Sequence, residues 1–401
     1  MIQIKMLPAR AGDCFLLHFD NHVNILIDTG FPATYRTYLK PQLESLRRRG
    51  ECIDLMVVTH IDGDHIGGAI ELLRDNKECR CPQIIQIREI WYNACHHARK
   101  PGTAINTLTD EQKSDLKKIV SRQQGVPSQM DVVYRKEISS TQGDSLASFL
   151  YKWDYTKIWN VHFQGNAVSA SVSKPYCLKD IVIHVLSPTN NALHNLFEKW
   201  LYDLRKYNSK FPVSDDIIFE QAYEQYVRGL SRDNTCRKEI GANFLNLRDL
   251  VNSPLECLRP DRSESNISSI AMLIEYQEKR LLFLADASDR LVLESLEKLY
   301  PSSDELYFDV IKLSHHGSSR NNFSLLEKVK AHKYLFSSDG KRSGHPSLET
   351  VAKIIQTNKD NKTLYFNYPL EYMKTFLQCS RLEREYQYCP NFGKEGTEIE
   401  V

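Results

Sequence analysis

Residues 59–68 read Thr-His-Ile-Asp-Gly-Asp-His-Ile-Gly-Gly, which places His60, Asp62, Asp64 and His65 directly after the apolar run Ile53–Val58. Imidazoles and carboxylates are ligands for a Zn²⁺- or Mn²⁺-type ion, and the end of a buried strand holds them rigidly at a cleft. The plain alternative is a polar turn whose histidines are incidental. Two later segments argue against it. Asp286 ends the apolar strand Leu281-Leu282-Phe283-Leu284-Ala285, where a dry, unpaired carboxylate is costly and a bound cation removes the cost. Its other possible role is the N-cap of a helix starting at Ser288. Lys312-Leu313-Ser314-His315-His316-Gly317-Ser318 then repeats the order of apolar strand, histidine and glycine. Only one of these two rings can easily face the same ion as Asp286, and the other orients it or contacts substrate. His345, between Gly344 and Pro346, is either a turn residue or a proton donor, since an unperturbed imidazole titrates at about 6.5.

These residues need elements that fix them. Ile2–Met6, Phe15–Phe19 and Val23–Ile27 read as short strands closing on Asp28-Thr29-Gly30, where glycine permits a turn. Helices are expected over Tyr38–Arg48, with Leu39, Leu43 and Leu46 on one face, and from Gly67 to Arg74. Ile53–Val58 and Ile84–Tyr92 read as strands, the second running into Asn93-Ala94-Cys95-His96-His97. The middle differs. Residues 105–125 are polar and helix-like, Trp153–Val168 reads as a hairpin, and Ile181–Leu186 is a buried strand stopping at Ser187-Pro188. From Asn191 to Leu250 the pattern is helical, and Leu193, Leu196, Phe197, Trp200, Leu201 and Leu204 form a stripe of core or lid packing. Strands return at Ile270–Tyr276, Arg280–Ala285, Tyr307–Leu313, Lys333–Ser337 and Thr363–Tyr368. They alternate with helices at Ser288–Tyr300, Ser324–Val329 and Leu348–Thr357. This order predicts an α/β fold, an αββα sandwich of two sheets with outer helices. It is expected to span residues 1–401 as a single domain with a largely helical insertion at 190–260.

The order His-x-Asp-x-Asp-His-x-Gly-Gly, a later strand-terminal Asp, and His-His-Gly-Ser resembles the metallo-β-lactamase superfamily. Within it the chain looks like the branch related to the soluble hydrolase domain of ComEC DNA-uptake proteins, where Asp also stands at the place of Asp62 and a His is usual elsewhere. Ala11-Gly12-Asp13-Cys14, Leu26-Ile27-Asp28-Thr29-Gly30, Ile90-Trp91-Tyr92-Asn93, Leu186-Ser187-Pro188, Asn266-Ile267-Ser268-Ser269-Ile270, Ser337-Ser338-Asp339-Gly340 and Phe366-Asn367-Tyr368 extend the likeness. It resembles stand-alone bacterial members with a middle insertion and no membrane channel. The resemblance implies two divalent metal ions. His60 and Asp62 would serve the first position, Asp64, His65 and one of His315 or His316 the second, and Asp286 would bridge them. The superfamily usually adds a His to the first position from the region of Ile183–Pro188. Here Ser187 stands at that place with His184 nearby, and His97 is the remaining candidate for a ligand or substrate contact.

Composition narrows the function classes. Of the 401 residues 41% are hydrophobic and 26% charged, an ordinary soluble balance. Lys+Arg of 52 against Asp+Glu of 51 gives no bulk charge that would mark a polyanion-binding protein. The basic clusters Arg47–Arg49 and Lys328–Lys341 read as solvated faces. The ten cysteines show no regular spacing and fit reduced thiols, Cys79 and Cys81 being weak evidence for a metal site. No run approaches the roughly 20 apolar residues of a membrane span, and Met1–Leu7 alternates like a strand rather than a signal peptide. The expectation is a cytoplasmic protein with no membrane partner; a protein partner or a homodimer stays open.

The expected chemistry is metal-assisted hydrolysis, with a metal-activated water as nucleophile. Asp64 would orient that water, Lys312, Ser318 and Asn322 would hold phosphate oxygens, and His345 would be the general acid. Asp62 makes the site harder than an all-His version and shifts the expected metal from Zn²⁺ toward Mn²⁺ or Mg²⁺. The leading expectation is a phosphodiesterase or nuclease acting on nucleic acid or a nucleotide. The alternatives are a hydrolase of a small lactone, thioester or amide, and a non-catalytic metal-binding interaction module.

Overall fold

Alternation in Ile2-Gln3-Ile4-Lys5-Met6 buries every second side chain, as a strand with one face on a core requires. The computed structural model describes residues 1–122, 145–172, 174–207, 210–233, 246–256, 259–341, 344–394 and 396–401. The chain divides into two compact units. One comprises Met1–Asp20, Ser169–Thr189 and Thr235–Val401, and the other Asn21–Val168 with Asn190–Asn234.

In the first unit, β1 (Ile2–Met6) pairs antiparallel with β2 (Phe15–Phe19), Ile4 opposite Leu17. It also pairs antiparallel with β14 (Thr397–Glu400), Ile4 opposite Ile399. The larger sheet holds β6 (Tyr176–Leu178), β7 (Ile181–Ser187), β8 (Ala271–Tyr276), β9 (Lys279–Phe283), β10 (Leu306–Lys312), β11 (Val329–Phe336), β12 (Lys362–Phe366) and β13 (Tyr388–Phe392). Its order is β13-β12-β11-β10-β9-β8-β7-β6. β9 to β13 are parallel, and β6 to β8 join them antiparallel. One face meets the strands of β1 and β2, with edge-to-face rings at 5.4 Å (Phe15–Phe283) and 5.1 Å (Phe19–Tyr276). Leu282, Ile311, Tyr334 and Leu364 instead share a cluster with Leu296, Leu325, Val351 and Met373 from the helices Asp289–Leu299, Phe323–Lys328, Leu348–Thr357 and Glu371–Leu377. Apolar residues on both faces are what a parallel sheet covered on both sides needs.

In the second unit, β3 (Asn24–Ile27), β4 (Leu55–Val57) and β5 (Ile90–Trp91) are parallel, Leu26 opposite Met56 and Val57 opposite Trp91. The helices Lys40–Arg48 and Gly63–Asn76 supply the crossovers that parallel pairing demands. The helices Asn190–Tyr207 and Ile217–Asp233 pack through Trp200, which meets Phe219 at 4.5 Å and Tyr223 at 5.3 Å. The expected packing stripe of Leu193, Leu196, Phe197, Trp200, Leu201 and Leu204 is buried.

Several local expectations change. The hairpin expected over Trp153–Val168 is instead a pair of short 3₁₀ turns, Tyr155–Ile158 and Val161–Phe163. Asp154, Asn160 and Gln164 adopt left-handed backbone there. Asn160 is held in place because its side chain bonds both the Tyr92 N–H and the Tyr92 carbonyl. The strand expected over Ile84–Tyr92 shrinks to two residues, since the Asn76 side chain takes the N–H groups of Ile84 and Ile85 and the Ile85 carbonyl. The helix expected over 105–125 is seen as Asp110–Arg122, with 123–125 outside the described residues. The same holds for 208–209, 234–245 and 257–258 within the stretch 190–260. β6, β13 and β14 are additional strands that the pattern of apolar residues did not mark.

Candidate metal centre

In the unit built on β3–β5, the loop after β4 buries Thr59, His60 and Asp62 and leads into the helix Gly63–Asn76. Asp62 stands at the N-cap position and Asp64 in the first turn, where the helix dipole favours negative charge. The helix starts hard against the turn after β3. Thr29 donates through N–H (3.2 Å) and Oγ1 (3.0 Å) to the His65 carbonyl, and Gly68 N–H donates to Gly30 O at 2.8 Å. A Cβ on Gly68 would overlap the Thr29 carbonyl oxygen, so this approach requires glycine.

Asp28, wholly buried at the end of β3, organises the two histidines. It accepts the Thr59 N–H at 2.8 Å and the Thr59 hydroxyl at 2.7 Å, and lies 2.8 Å from His65 Nδ1. A carboxylate only accepts, so His65 carries its proton on Nδ1. The Thr59 hydroxyl, having donated to Asp28, accepts from His60 Nδ1 at 3.0 Å. Both imidazoles are thereby set with Nε2 as the unprotonated nitrogen, the form a metal ligand needs. The rings lie 4.1 Å apart, and His60 Nε2 is 3.5 Å from Asp62 Oδ2. These residues fit a divalent metal.

His97 belongs to a different arrangement. Its Nδ1 accepts the Ala94 N–H at 3.0 Å, Nε2 lies 3.3 Å from Asn160 Nδ2, and the ring packs on Trp159 at 5.0 Å. Burial first, then the neighbouring His96, hold its pKa well below the ordinary value. Among the described residues it joins no metal-capable group.

In the other unit, Asp13, Asp286 and His316 each offer a ligand atom, and these atoms lie within 4.8 Å of one another; all three are buried. His316 Nδ1 is 3.3 Å from Asp13 Oδ1, and its Nε2 is 3.7 Å from Asp286 Oδ2. Lys312, almost fully buried, pairs with Asp13 and donates to Ala285 O at 3.0 Å. Two buried carboxylates and an imidazole, balanced by this one ammonium, fit a divalent cation better than an apolar core.

His315 turns toward other partners. Its Nδ1 lies 3.2 Å from Asn321 Oδ1 and 3.6 Å from Asp261 Oδ2, while Nε2 is 3.8 Å from Asp286 Oδ2. Burial alone would lower its pKa, but Asp286 and Asp261 outweigh burial and push it up to about 9. At Asp261 burial is outweighed by His315 and by the hydrogen bonds from the Ser263 N–H and the Asn266 side chain, which hold its carboxyl well below the usual carboxylate range. His345 packs 5.1 Å from His315, and burial, then His315 and His316, push its pKa well down. Burial and the two neighbouring imidazoles disfavour its charged form, which is the form that the expected general-acid role uses.

The loop itself is built around Asn322. Its Oδ1 accepts the Ser314 N–H at 2.9 Å, and its Nδ2 donates to Ser314 O (2.8 Å) and Ser318 O (2.6 Å). His315, His316 and Gly317 are all left-handed, and a Cβ on Gly317 would come 2.8 Å from the Phe336 ring. The side chain of Asn322 therefore serves the backbone of the loop. Ser318 Oγ accepts the Arg320 N–H at 3.2 Å. The residues that the sequence reading did not select are Asp13, Asp28, Thr59, Asp261 and Asn321. Asp28 carried a usable signal, a carboxylate closing an apolar strand as Asp286 does.

Residues 7–91 match the family model of the metallo-beta-lactamase superfamily. That stretch holds Asp13, Asp28 and the whole His60–His65 motif. The fold is a metallo-β-lactamase fold with mixed α/β sheets, as the sequence implied. No curated protein matches the chain. Similar solved structures include the metallo-beta-lactamase fold protein YhfI from Bacillus subtilis, 10% identical, covering 100% of this chain and 99% of that one at a TM-score of 0.36. Zn(2+)-bound PqqB from Methylobacterium extorquens is 11% identical, with full coverage of both chains and a TM-score of 0.34. A long form RNase Z from yeast is 11% identical, covering 98% of this chain and 44% of that one, at a TM-score of 0.35. No helix among the described residues is long and apolar enough to cross a membrane.

Proposed function

We propose that this protein is a metal-dependent hydrolase that cleaves a phosphodiester in a nucleic acid or nucleotide. The observation that carries the reading is the Asp28–Thr59 network, which sets His60 and His65 with Nε2 as the unprotonated, metal-capable nitrogen. In the unit containing them, His60, Asp62 and His65 would hold a divalent ion. In the other unit, Asp13, Asp286 and His316 would hold one. Such an ion supplies a water deprotonated near neutral pH and a positive charge for a phosphoryl oxygen.

The chain's own residues do the rest. Asp28 and Thr59 fix the imidazoles, Lys312 holds Asp13, Asn322 shapes the histidine loop, and Asp64 orients the attacking water from the first turn of its helix. His316 is the ligand of the histidine pair in this reading, and His315 faces substrate. The phosphodiester preference is supported by the carboxylate-rich donor set, which suits Mn²⁺ or Mg²⁺ as well as Zn²⁺. The ComEC-like resemblance of the His-x-Asp-x-Asp-His motif supports it too. The helices Asn190–Tyr207 and Ile217–Asp233 are taken as the main part of an insertion over 190–260.

The test is a metal-reconstituted screen of bis(p-nitrophenyl) phosphate, single- and double-stranded DNA, RNA and a lactone. Asp64→Ala and His65→Ala should each lose at least about a hundredfold in phosphodiester cleavage, the scale of losing an organised metal or its water. Full activity in both variants refutes the assignment. Cleavage of nucleic acid should fall steeply with added salt while bis(p-nitrophenyl) phosphate hydrolysis barely changes.

A further inference from the structure

Strands β7, β8, β9 and β10 lie side by side in that order. Their directions bring four chemistry-bearing ends to one edge of the sheet. β7 runs out at Ser187, which is opposite Ala271 at the start of β8. Ser269 stands just before β8 and Asp286 just after β9, with Met272 opposite Phe283 between those strands. β10 is parallel to β9, Lys312 opposite Phe283, and so delivers His316 to the same end. Strand ends of this kind are where open α/β sheets hold ligands.

Ser187 and Ser269 are both wholly buried, and neither hydroxyl makes a hydrogen bond among the described residues. A hydroxyl offers one donor and two acceptor positions, and folded proteins rarely leave such a group dry and unbonded. One orphan would be an isolated flaw. Two on neighbouring strands, at the end that carries Asp286 and His316, share a cause. A group bound at this end would accept from these O–H donors. It must also tolerate Asp286 nearby, which an anionic oxygen does once a cation offsets the carboxylate.

We propose that Ser187 and Ser269 are the oxyanion-holding edge of the Asp13–Asp286–His316 centre, their hydroxyls donating to a phosphoryl oxygen of the substrate. This rests on the phosphodiester reading above and names two positioning residues within it. A water molecule is the competing occupant, and it predicts no change in phosphate affinity when the hydroxyls are removed.

The experiment measures inorganic phosphate binding by calorimetry on the full chain loaded with Mn²⁺, for wild type, Ser187→Ala, Ser269→Ala and the double variant. Metal content and the unfolding midpoint of the metal-free protein are read in parallel. Each substitution deletes an unsatisfied buried hydroxyl, so metal-free midpoints equal to or above wild type are expected. Metal content should stay at the wild-type level, and the phosphate Kd of the double variant should rise about tenfold or more. An unchanged Kd overturns the proposal, as does a wild type that takes up no phosphate. A lower metal-free midpoint overturns it by showing that the hydroxyls were already satisfied. Metal content falling with the hydroxyls overturns it by making them cation ligands. A phosphate effect in a protein that cleaves no phosphodiester removes the reading of function and keeps Ser187 and Ser269 as a phosphate-binding pair.

Discussion

In the proposed centre Asp28 acts through its hydrogen bonds to Thr59 and His65. Replacing it with Asn keeps the shape but, with the amide nitrogen at the Oδ2 place, sets a donor where the Thr59 hydroxyl and His65 Nδ1 protons now point in. His65 must then move its proton to Nε2, the ligand nitrogen. We expect Asp28→Asn to weaken divalent-metal affinity by about 10–100-fold while the protein stays folded. Chelator competition reads this directly, and an affinity equal to wild type would defeat the tautomer argument. At this scale the sequence marks residues whose type and position coincide, as with His60, His65 and Asp286, which the structure places in groups able to hold an ion. It was opaque where a side chain acts on a distant segment. Asp13 gains meaning only when the chain returns to set Lys312 and His316 beside it. Asn322 was opaque for the opposite reason: its partners are nearby backbone groups, which leave no trace in residue type.

Elements hold these residues through close backbone approach and through buried polar anchors. The helix Gly63–Asn76 reaches the Asp28–Gly30 turn because Gly68 has no Cβ. Gly68→Ala should cost about 1–3 kcal/mol, as overpacking against backbone does, and should weaken metal binding by shifting His65; chemical denaturation gives the first number. A substitution that is neutral in both would mean the turn yields easily. On the helix Ile217–Asp233, Glu224 accepts from the Tyr92 hydroxyl and from the Leu146 N–H, and burial raises its pKa. A raised carboxyl pKa means that the folded state keeps its proton after the unfolded state has released it, so stability declines as pH rises through that window. Glu224→Gln removes the titration. Its stability relative to wild type should therefore improve as pH climbs from below the ordinary carboxylate range toward neutrality, in paired thermal melts. A difference that is flat with pH would show the carboxyl titrating normally. Long elements with clear periodicity, such as Leu348–Thr357, were legible, whereas Ile84–Tyr92 lost most of its strand to one asparagine.

For the whole molecule, metal and stability are linked, because an ion that binds only the folded chain stabilises it by mass action. At a hundredfold excess over Kd that amounts to about 2.7 kcal/mol. Chelation should lower the unfolding midpoint, and adding back Mn²⁺ or Zn²⁺ should restore it; a midpoint indifferent to both ions would remove the metal from this account. The fold class was legible because strand–helix alternation and the motif order agree with the match over residues 7–91. The division of the chain into two compact units was not, since each unit is assembled from separate stretches of sequence. The left-handed run at His315, His316 and Gly317 carries a consequence for anyone wishing to borrow this chemistry. Two consecutive non-glycine residues in that conformation are disfavoured by about 1–2 kcal/mol each, and Asn322 is the clamp that holds them there. The loop is therefore portable only as a block from Ser314 to Asn322, and a histidine grafted alone onto another scaffold would relax out of this backbone conformation.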